Sequence, residues 1–299
     1  MTIALLGVPT NSSGTTDGVA RAPRALREAG LAPRLRRAGP LVDLGDVQVD
    51  GPSPARGPDG IIDPSNLAVT LGRVRAQAAA AVRLGHRVVL VGGDCPILIG
   101  ALAGCADVAG TPGLLFVDGH EDAWPPRAST TGEAADMELG LLLGRSIDGL
   151  EPSLQAQIPA LDPARVVILG ARDRAELDDA SVESLDGTVC LVDDTAVRAD
   201  PAGVAVEAAG RVASPESGWW LHVDLDVLST EALPAVDYPQ AGGLSWSDLA
   251  TVTRSALSTG GCVGSSVTIF NPDLDPDGRY AFDIVEFIGG LADGLEAKA

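Results

Sequence analysis

The chain has 299 residues, of which 45% are hydrophobic, and it carries a formal net charge of −20. Because phosphate groups attract a basic surface, this charge argues against nucleic acid or an anionic membrane as a partner. The N-terminus has no basic region ahead of its apolar run, and no stretch reaches the ~18–20 apolar residues of a membrane span. The four cysteines form no CxxC pair, and the size of the chain argues against a disulfide framework. We therefore expect a soluble, cytoplasmic protein.

Apolar segments typical of strands alternate along the chain with segments typical of helices. The predicted strands are residues 3–7, 86–91, 114–117, 166–169, 189–192, 219–223 and 263–269. The predicted helices are residues 22–29, 67–84, 137–143 and 280–291, and Ser65 or Asn66 is the predicted cap of the second. This alternation predicts βαβ units and a mostly parallel sheet with helices on both faces. The Pro- and Gly-rich residues 50–63 are interpreted as a surface loop, and residues 1–299 as one domain.

Three predicted strands end in side chains that can bind a metal ion. They are followed by Asp94 and Cys95 in VVLVGGDC, by Asp118, His120 and Asp122 in LLFVDGHED, and by Asp224 and Asp226 in WLHVDLDVL. Ligands of open α/β sheets bind beyond the carboxyl ends of the strands, and alternate residues of a strand point the same way. A single DxD is common in loops and caps, but two acidic motifs after apolar strands favour a shared site. A divalent cation such as Mn²⁺, Mg²⁺, Zn²⁺ or Fe²⁺ would relieve the repulsion between these carboxylates.

These motifs resemble those of the ureohydrolase (arginase/agmatinase/formimidoylglutamase) superfamily, which run GGDHS, DAHxD and SxDxDxxDP in that order. This chain has GGDCP at residues 92–96, DGHED at 118–122 and HVDLDVLS at 222–229. LLGVPTNSSG near the N-terminus, LGARD at 169–173 and FNP at 270–272 also fall where the family has comparable segments. The chain thus looks like a divergent member along nearly its whole length. The resemblance implies an arginase-like three-layer α/β/α fold with a mostly parallel sheet of about eight strands. It also implies a homo-oligomer, a trimer or a hexamer.

The resemblance further implies two Mn²⁺ ions per subunit and a small-molecule substrate. Carried over by motif, Asp118 and Asp224 would bridge both ions. The full set of implied metal ligands is Cys95, Asp118, His120, Asp122, Asp224 and Asp226. A hydroxide held between the ions would attack the carbon of a linear amidine or guanidine, so that a C–N bond is hydrolysed.

Two positions depart from the family pattern and bear on the metal and the substrate. Cys95 stands where the family usually has His. A thiolate there favours Zn²⁺ or Fe²⁺, and the alternative is a buried thiol that binds no metal. Ile269 stands where family enzymes that act on guanidines have Glu. Because an apolar side chain leaves a buried guanidinium unpaired, at a cost of several kcal/mol, a neutral or less basic substrate becomes plausible.

The third departure concerns proton transfer. The family's arginases have a His in the loop after the second motif, and Ala135 falls about where that His would be. Glu133, Asp136 and Glu121 are therefore the candidate catalytic acids. The alternative for Glu133 and Asp136 is a favourable charge at the start of the following helix.

Two further side chains have open roles. Trp124 either lines the substrate pocket or only covers the loop, and His222 is either a core histidine or a hydrogen-bond partner of a metal ligand. Two alternative functions also stay open. One is a catalytically degenerate family protein with a structural or regulatory role, and the other is a specialised hydrolase of a modified, non-guanidinium substrate.

Overall fold

Eight strands form one sheet within residues 2–296, the part of the chain that this computed structural model describes. The strands are β1 (Ile3–Val8), β2 (Leu41–Asp46), β3 (Arg87–Gly92), β4 (Gly113–Val117), β5 (Val166–Gly170), β6 (Cys190–Asp193), β7 (Trp219–Asp224) and β8 (Cys262–Thr268). Their order across the sheet is β2-β1-β3-β8-β7-β4-β5-β6, and neighbouring strands all pair in parallel. The inner strands are almost wholly buried, as is usual where helices cover both faces of a parallel sheet.

Helices cover both faces of the sheet and make a three-layer α/β/α architecture. They are α1 (Ala22–Glu28), α2 (Leu31–Ala38), α3 (Pro64–Arg83), α4 (Ile97–Ala109), α5 (Glu138–Leu142), α6 (Pro152–Gln155), α7 (Arg174–Ala180), α8 (Asp194–Ala199), α9 (Pro201–Val212), α10 (Trp246–Leu257) and α11 (Arg279–Glu296). One apolar core lies between the sheet and α1, α2, α9, α10 and α11, and a second lies between the sheet and α3, α4 and α5. Across the described residues, no helix is long and apolar enough to cross a membrane.

The predicted strands and helices all form, and the predicted fold class is confirmed, but several elements were missed. Strand β2 was missed because its sequence LVDLGD contains two Asp and a Gly, as an exposed strand at the edge of the sheet can. Helix α4 was missed because it contains two glycines. Contact with α3 explains both of them: a Cβ on Gly100 would lie 2.7 Å from the Leu71 carbonyl oxygen, and a Cβ on Gly104 would lie 2.6 Å from the Arg75 carbonyl oxygen. Close packing of two helices therefore outweighs the poor helix propensity of glycine here.

The predicted cap of α3 was wrong. The helix begins at Pro64, and the residue before it, Asp63, has a left-handed backbone with φ of 44°. Neither Ser65 nor Asn66 precedes the helix, since both lie within its first turn. Proline at the first helical position has its φ already fixed near the helical value and has no N–H to satisfy.

The topology brings the three acidic motifs to one edge of the sheet. Strands β3, β8, β7 and β4 are consecutive neighbours, and all run in the same direction. The three motifs follow β3, β4 and β7, so they lie at the carboxyl ends of the central strands. This is the place where ligands bind in open α/β sheets.

Candidate metal centre and its cavity

Asp118 and Asp224 lie at the centre of the site, and both carboxylates are buried. Each accepts a hydrogen bond from the backbone N–H two residues further on, at 2.7 Å, which fixes the turn that follows its strand. Burial and the nearby charge of Asp226 raise the pKa of Asp118 to about 7 and raise that of Asp224 well above its usual range. Within the described residues, the second oxygen of Asp118 has no hydrogen-bond partner. A bound cation would relieve the repulsion between these carboxylates and would give the unpaired Asp118 oxygen a partner.

His120 and Asp226 form the outer part of the cluster. The His120 Nδ1 lies 2.9 Å from Asp226 Oδ2 and 3.7 Å from Asp118 Oδ1. Burial lowers the pKa of His120, but the two carboxylates outweigh burial and raise the pKa well above its usual value. The predicted pairing of the second and third motifs therefore exists as a direct contact.

Cys95 reaches the same cluster from the first motif. Its Sγ donates to Asp224 Oδ2 at 2.8 Å and lies 2.9 Å from the Thr268 hydroxyl. Burial and the Asp224 charge raise the pKa of the thiol well above its usual value. Two residues before it, the backbone passes so close to Thr10 that only glycine fits: a Cβ on Gly93 would lie 1.8 Å from the Thr10 carbonyl oxygen. The sulfur is thus held directly against a predicted bridging ligand.

Asp122 and Glu138 form a second pair of buried acids beside the first. Asp122 has a left-handed backbone, with φ of 44°, and its pKa is raised well above the usual range by burial and by the charges of Asp118 and Glu138. Glu138 begins α5 and has no exposed surface, and burial raises its pKa well above its usual value too. Neither Glu138 oxygen has a hydrogen-bond partner among residues 2–296. Sequence reasoning gave Glu138 no role, although a single acid in the apolar run MELGLLL was the available signal.

His222 lies one step deeper in the sheet, fully buried. Its Nδ1 lies 2.7 Å from the Ser266 hydroxyl, and its ring stacks on Phe116 at 4.9 Å between centroids. Burial lowers its pKa to about 3, so the ring is neutral. In the described part of the chain its Nε2 has no partner.

The ligand atoms of these residues form three overlapping groups, each with its members within 4.8 Å of one another. The groups are Cys95 with Asp118 and Asp224, Asp118 with His120 and Asp122, and Cys95 with Glu138 and His222. The unpaired buried oxygens and the mixture of carboxylate, imidazole and thiol donors fit divalent metal ions. Five of the six residues that were predicted as ligands lie in these groups, and the sixth, Asp226, joins the cluster through its contact with His120.

A cavity of about 240 Å³ opens over this cluster. Its lining residues are His120, Asp122, Trp124, Thr130, Thr131, Glu133, Ala135, Asp136, Asp173, Glu176, Asp224, Asp226, Tyr238, Pro239, Gln240 and Ile269. Seven of these described residues are acidic and none is Lys or Arg. Three of the seven, Asp122, Asp224 and Asp226, are predicted metal ligands, and the other acids of the wall are Glu133, Asp136, Asp173 and Glu176.

The cavity wall contains strained backbone. Six described residues other than glycine have positive φ, and Asp122, Tyr238 and Ile269 of the cavity are three of them. Positive φ is a genuine outlier for a β-branched residue such as Ile269, and such strain concentrates at functional sites. Trp124 and Ile269 both line the cavity, and their role in substrate binding stays a prediction.

Two of the three candidate catalytic acids line the cavity. The Glu133 carboxylate lies beside the Tyr238 hydroxyl, and burial together with the charge of Asp94 raises its pKa to about 7. Asp136 is held by the hydroxyls of Ser129 and Thr131, at 2.8 and 2.7 Å, and burial raises its pKa to about 6.

The third candidate, Glu121, is engaged elsewhere. Its carboxylate accepts hydrogen bonds from the Ser184 hydroxyl, at 2.7 and 2.9 Å, and from the Leu185 N–H. It is not among the residues that line the cavity. Alternation along the chain turns Glu121 away from Asp122, so this geometry disfavours a catalytic role for Glu121.

The chain is similar to known proteins along nearly its whole length. The model of the arginase family matches residues 1–290. The arginase of Bacillus subtilis (strain 168) is 28% identical over 296 residues, covering 97% of this chain and 98% of that protein. The crystal structure of arginase from Bacillus cereus superposes with a TM-score of 0.85 at 25% identity, covering 98% of both chains. A hypothetical agmatinase from Burkholderia thailandensis shares the fold, with a TM-score of 0.73 at 19% identity over 99% of this chain and 86% of its own.

Proposed function

The chain belongs to the arginase family, whose members hydrolyse carbon–nitrogen bonds other than peptide bonds, and we propose that it cleaves a linear amidine or guanidino compound that carries a positive charge. The observation that carries this proposal is the convergence of the three acidic motifs beneath one negative cavity.

The metal part of the proposal rests on the donor set. Cys95, Asp118, His120, Asp122, Asp224 and Asp226 would hold two divalent ions. We propose Mn²⁺, with Zn²⁺ or Fe²⁺ as alternatives because Cys95 supplies a sulfur. Bound there, such ions lower the pKa of water towards ~7 and so supply a nucleophile at neutral pH.

The charge of the cavity supports a cationic substrate. Ile269 cannot pair a guanidinium, but Glu133 and Asp173 face the same space from other loops. Asp173 is buried and one of its oxygens has no hydrogen-bond partner within the described residues. An amine or amidinium bound between these acids would gain the pairing that Ile269 does not provide.

Proton transfer is assigned to Glu133. Its carboxylate lines the cavity and is half-buried, and its pKa of about 7 lets it take up and return a proton near neutral pH. Asp136 is held by two hydroxyls, so we assign it to shaping the loop that carries Glu133. Trp124 forms part of the apolar wall against which the substrate packs.

One experiment tests the proposal. Metal-loaded protein is incubated with linear guanidino, formimidoyl and amide compounds, and released urea, formamide and amine are measured. We expect turnover of a cationic member of the panel, and loss of at least ~10³-fold in kcat/KM for Asp118→Asn, since removal of a metal ligand abolishes nucleophile activation. The exposed Glu231→Gln is the matched control and should keep the parent rate. Absence of product across the panel with two ions bound would favour the degenerate family protein, and turnover of neutral compounds alone would favour the specialised hydrolase.

A further inference from the structure

Three buried side chains lie close together on the inner side of the site, and no hydrogen bond joins them. Cys95, Glu138 and His222 have 0% exposed surface, and their ligand atoms lie within 4.8 Å of one another. They come from three separate elements: the turn after β3, the start of α5 and the middle of β7.

The Glu138 carboxylate is fully buried, and no structural role explains its burial. A buried carboxylate ordinarily accepts two or three hydrogen bonds, yet neither Glu138 oxygen has a hydrogen-bond donor among residues 2–296. Its neighbour Asp122 is another acid, so the two can pair directly only when one of them is protonated. It lies beside Asp122, a second buried acid, so the surrounding charges make its ionised form still more costly. Desolvation of an unpaired carboxylate costs several kcal/mol, so such a group is retained where a cation pairs it.

His222 is oriented as a metal ligand is. Its Nδ1 lies 2.7 Å from the Ser266 hydroxyl, which also accepts the Trp220 indole N–H at 3.0 Å. Metal-binding histidines usually bond their other nitrogen to such a fixed group. With Nδ1–H donated to Ser266, the lone pair of Nε2 points to the buried space, where Nε2 has no partner in the described chain.

We propose that Glu138, His222 and Cys95 bind one metal ion together. The sulfur of Cys95 stands in the place of the histidine of the motif GGDHS, and the Glu138 carboxylate and the His222 imidazole are the further ligands. A thiolate and a carboxylate carry two negative charges, which match a divalent ion, and the imidazole is neutral. Asp224, 2.8 Å from the sulfur, is placed to supply a second oxygen. A donor set that includes sulfur and nitrogen suits Zn²⁺, or Fe²⁺, better than Mn²⁺. On binding, the Cys95 thiol loses its proton to solvent as the metal–sulfur bond forms.

This inference deepens the proposed function, but it is tested on metal binding and not on turnover. Chelator-stripped protein is titrated with Co²⁺ and with Zn²⁺, and the number of ions, the affinity and the thiolate-to-cobalt absorption are recorded. We expect that absorption in the parent protein and in Glu138→Gln, but with at least about tenfold weaker affinity of that ion in the variant. His222→Gln should lower the affinity for the same ion, whereas Cys95→Ser should remove the thiolate-to-cobalt absorption.

The control is Asp59→Asn, which removes a buried carboxylate far along the chain from the site. Asp59 accepts bonds from the Ile61 and Glu151 N–H groups, at 3.2 and 3.0 Å, and it belongs to none of the three candidate ligand groups. It should bind both metals as the parent does.

Anomalous diffraction at the zinc edge, measured on crystals of the zinc-loaded parent protein, locates the ion directly. The result does not depend on whether any variant folds. We expect an ion within about 2.3 Å of the Cys95 sulfur and about 2.0–2.2 Å of a Glu138 oxygen. Unchanged affinity in Glu138→Gln, or an ion that does not contact Glu138, would overturn the inference and would indicate that Glu138 shares a proton with Asp122. Normal metal uptake without turnover would instead count against the proposed function alone.

Discussion

Replacement of Glu121 tests whether this acid anchors the site or takes part in the reaction. Glu121 is 2% exposed and joins the turn of the second motif to the segment around Leu185. Each hydrogen bond to an ionised acceptor contributes about 1.5–3 kcal/mol. In Glu121→Ala, the half-buried Ser184 hydroxyl can turn to water, but the Leu185 N–H stays buried and unpaired. We therefore expect a loss of about 2–4 kcal/mol in the free energy of unfolding.

The conservative variant separates the two roles. Glu121→Gln keeps an acceptor for the Leu185 N–H and loses only the charge, so it should cost about 1 kcal/mol. Its kcat should remain within about tenfold of the parent value, because no group that lines the cavity changes. The exposed neighbour Glu183→Ala should change stability by less than about 0.5 kcal/mol.

The measurement is urea unfolding at a fixed metal concentration, with turnover of the same preparations measured at low temperature. The reasoning fails if Glu121→Gln keeps its stability but loses kcat by more than about 100-fold, since that pattern marks a reacting group.

Three further predictions follow from the same site. First, the pKa of Glu133 is raised from 4.5 to about 7, so its carboxylate ionises as pH rises through 7. KM for a cationic substrate should then fall over that range, and native stability should decline between about pH 4.5 and 7. Both dependences should flatten in Glu133→Gln, and a KM–pH profile identical to the parent's would contradict the assignment. Second, Gly93→Ala should cost about 1–3 kcal/mol, because its Cβ would overlap the Thr10 carbonyl, whereas Gly210→Ala, which meets nothing within 4 Å, should be neutral or stabilising in thermal unfolding. Third, chelation should lower the unfolding midpoint, since an ion at 100 times its Kd stabilises the native state by about 2.7 kcal/mol, and an unchanged midpoint would argue against bound metal.

The oligomeric state stays a prediction from family resemblance. We expect a trimer or a hexamer, and the mass of the assembly in solution, measured by light scattering, would decide between these and a monomer.

The sequence by itself determined the sheet and the outline of the metal centre. Apolar strands that alternate with helices require a parallel sheet, and parallel strands end at one edge. Asp118 and Asp224 could therefore be placed in one site, since each lies at the carboxyl end of a buried strand. Motif order along the chain was enough to recognise the family.

Only the tertiary structure decided what surrounds these ligands. The ligand atoms of Glu138 and His222 lie within 4.8 Å of that of Cys95 because α5 and β7 pack beside the turn after β3, and no local spacing encodes that approach. Glu121 lies between two ligands in sequence, yet its carboxylate is bound by Ser184, 63 residues further on. Local periodicity tells which way a side chain points, but its partner depends on which distant element packs there.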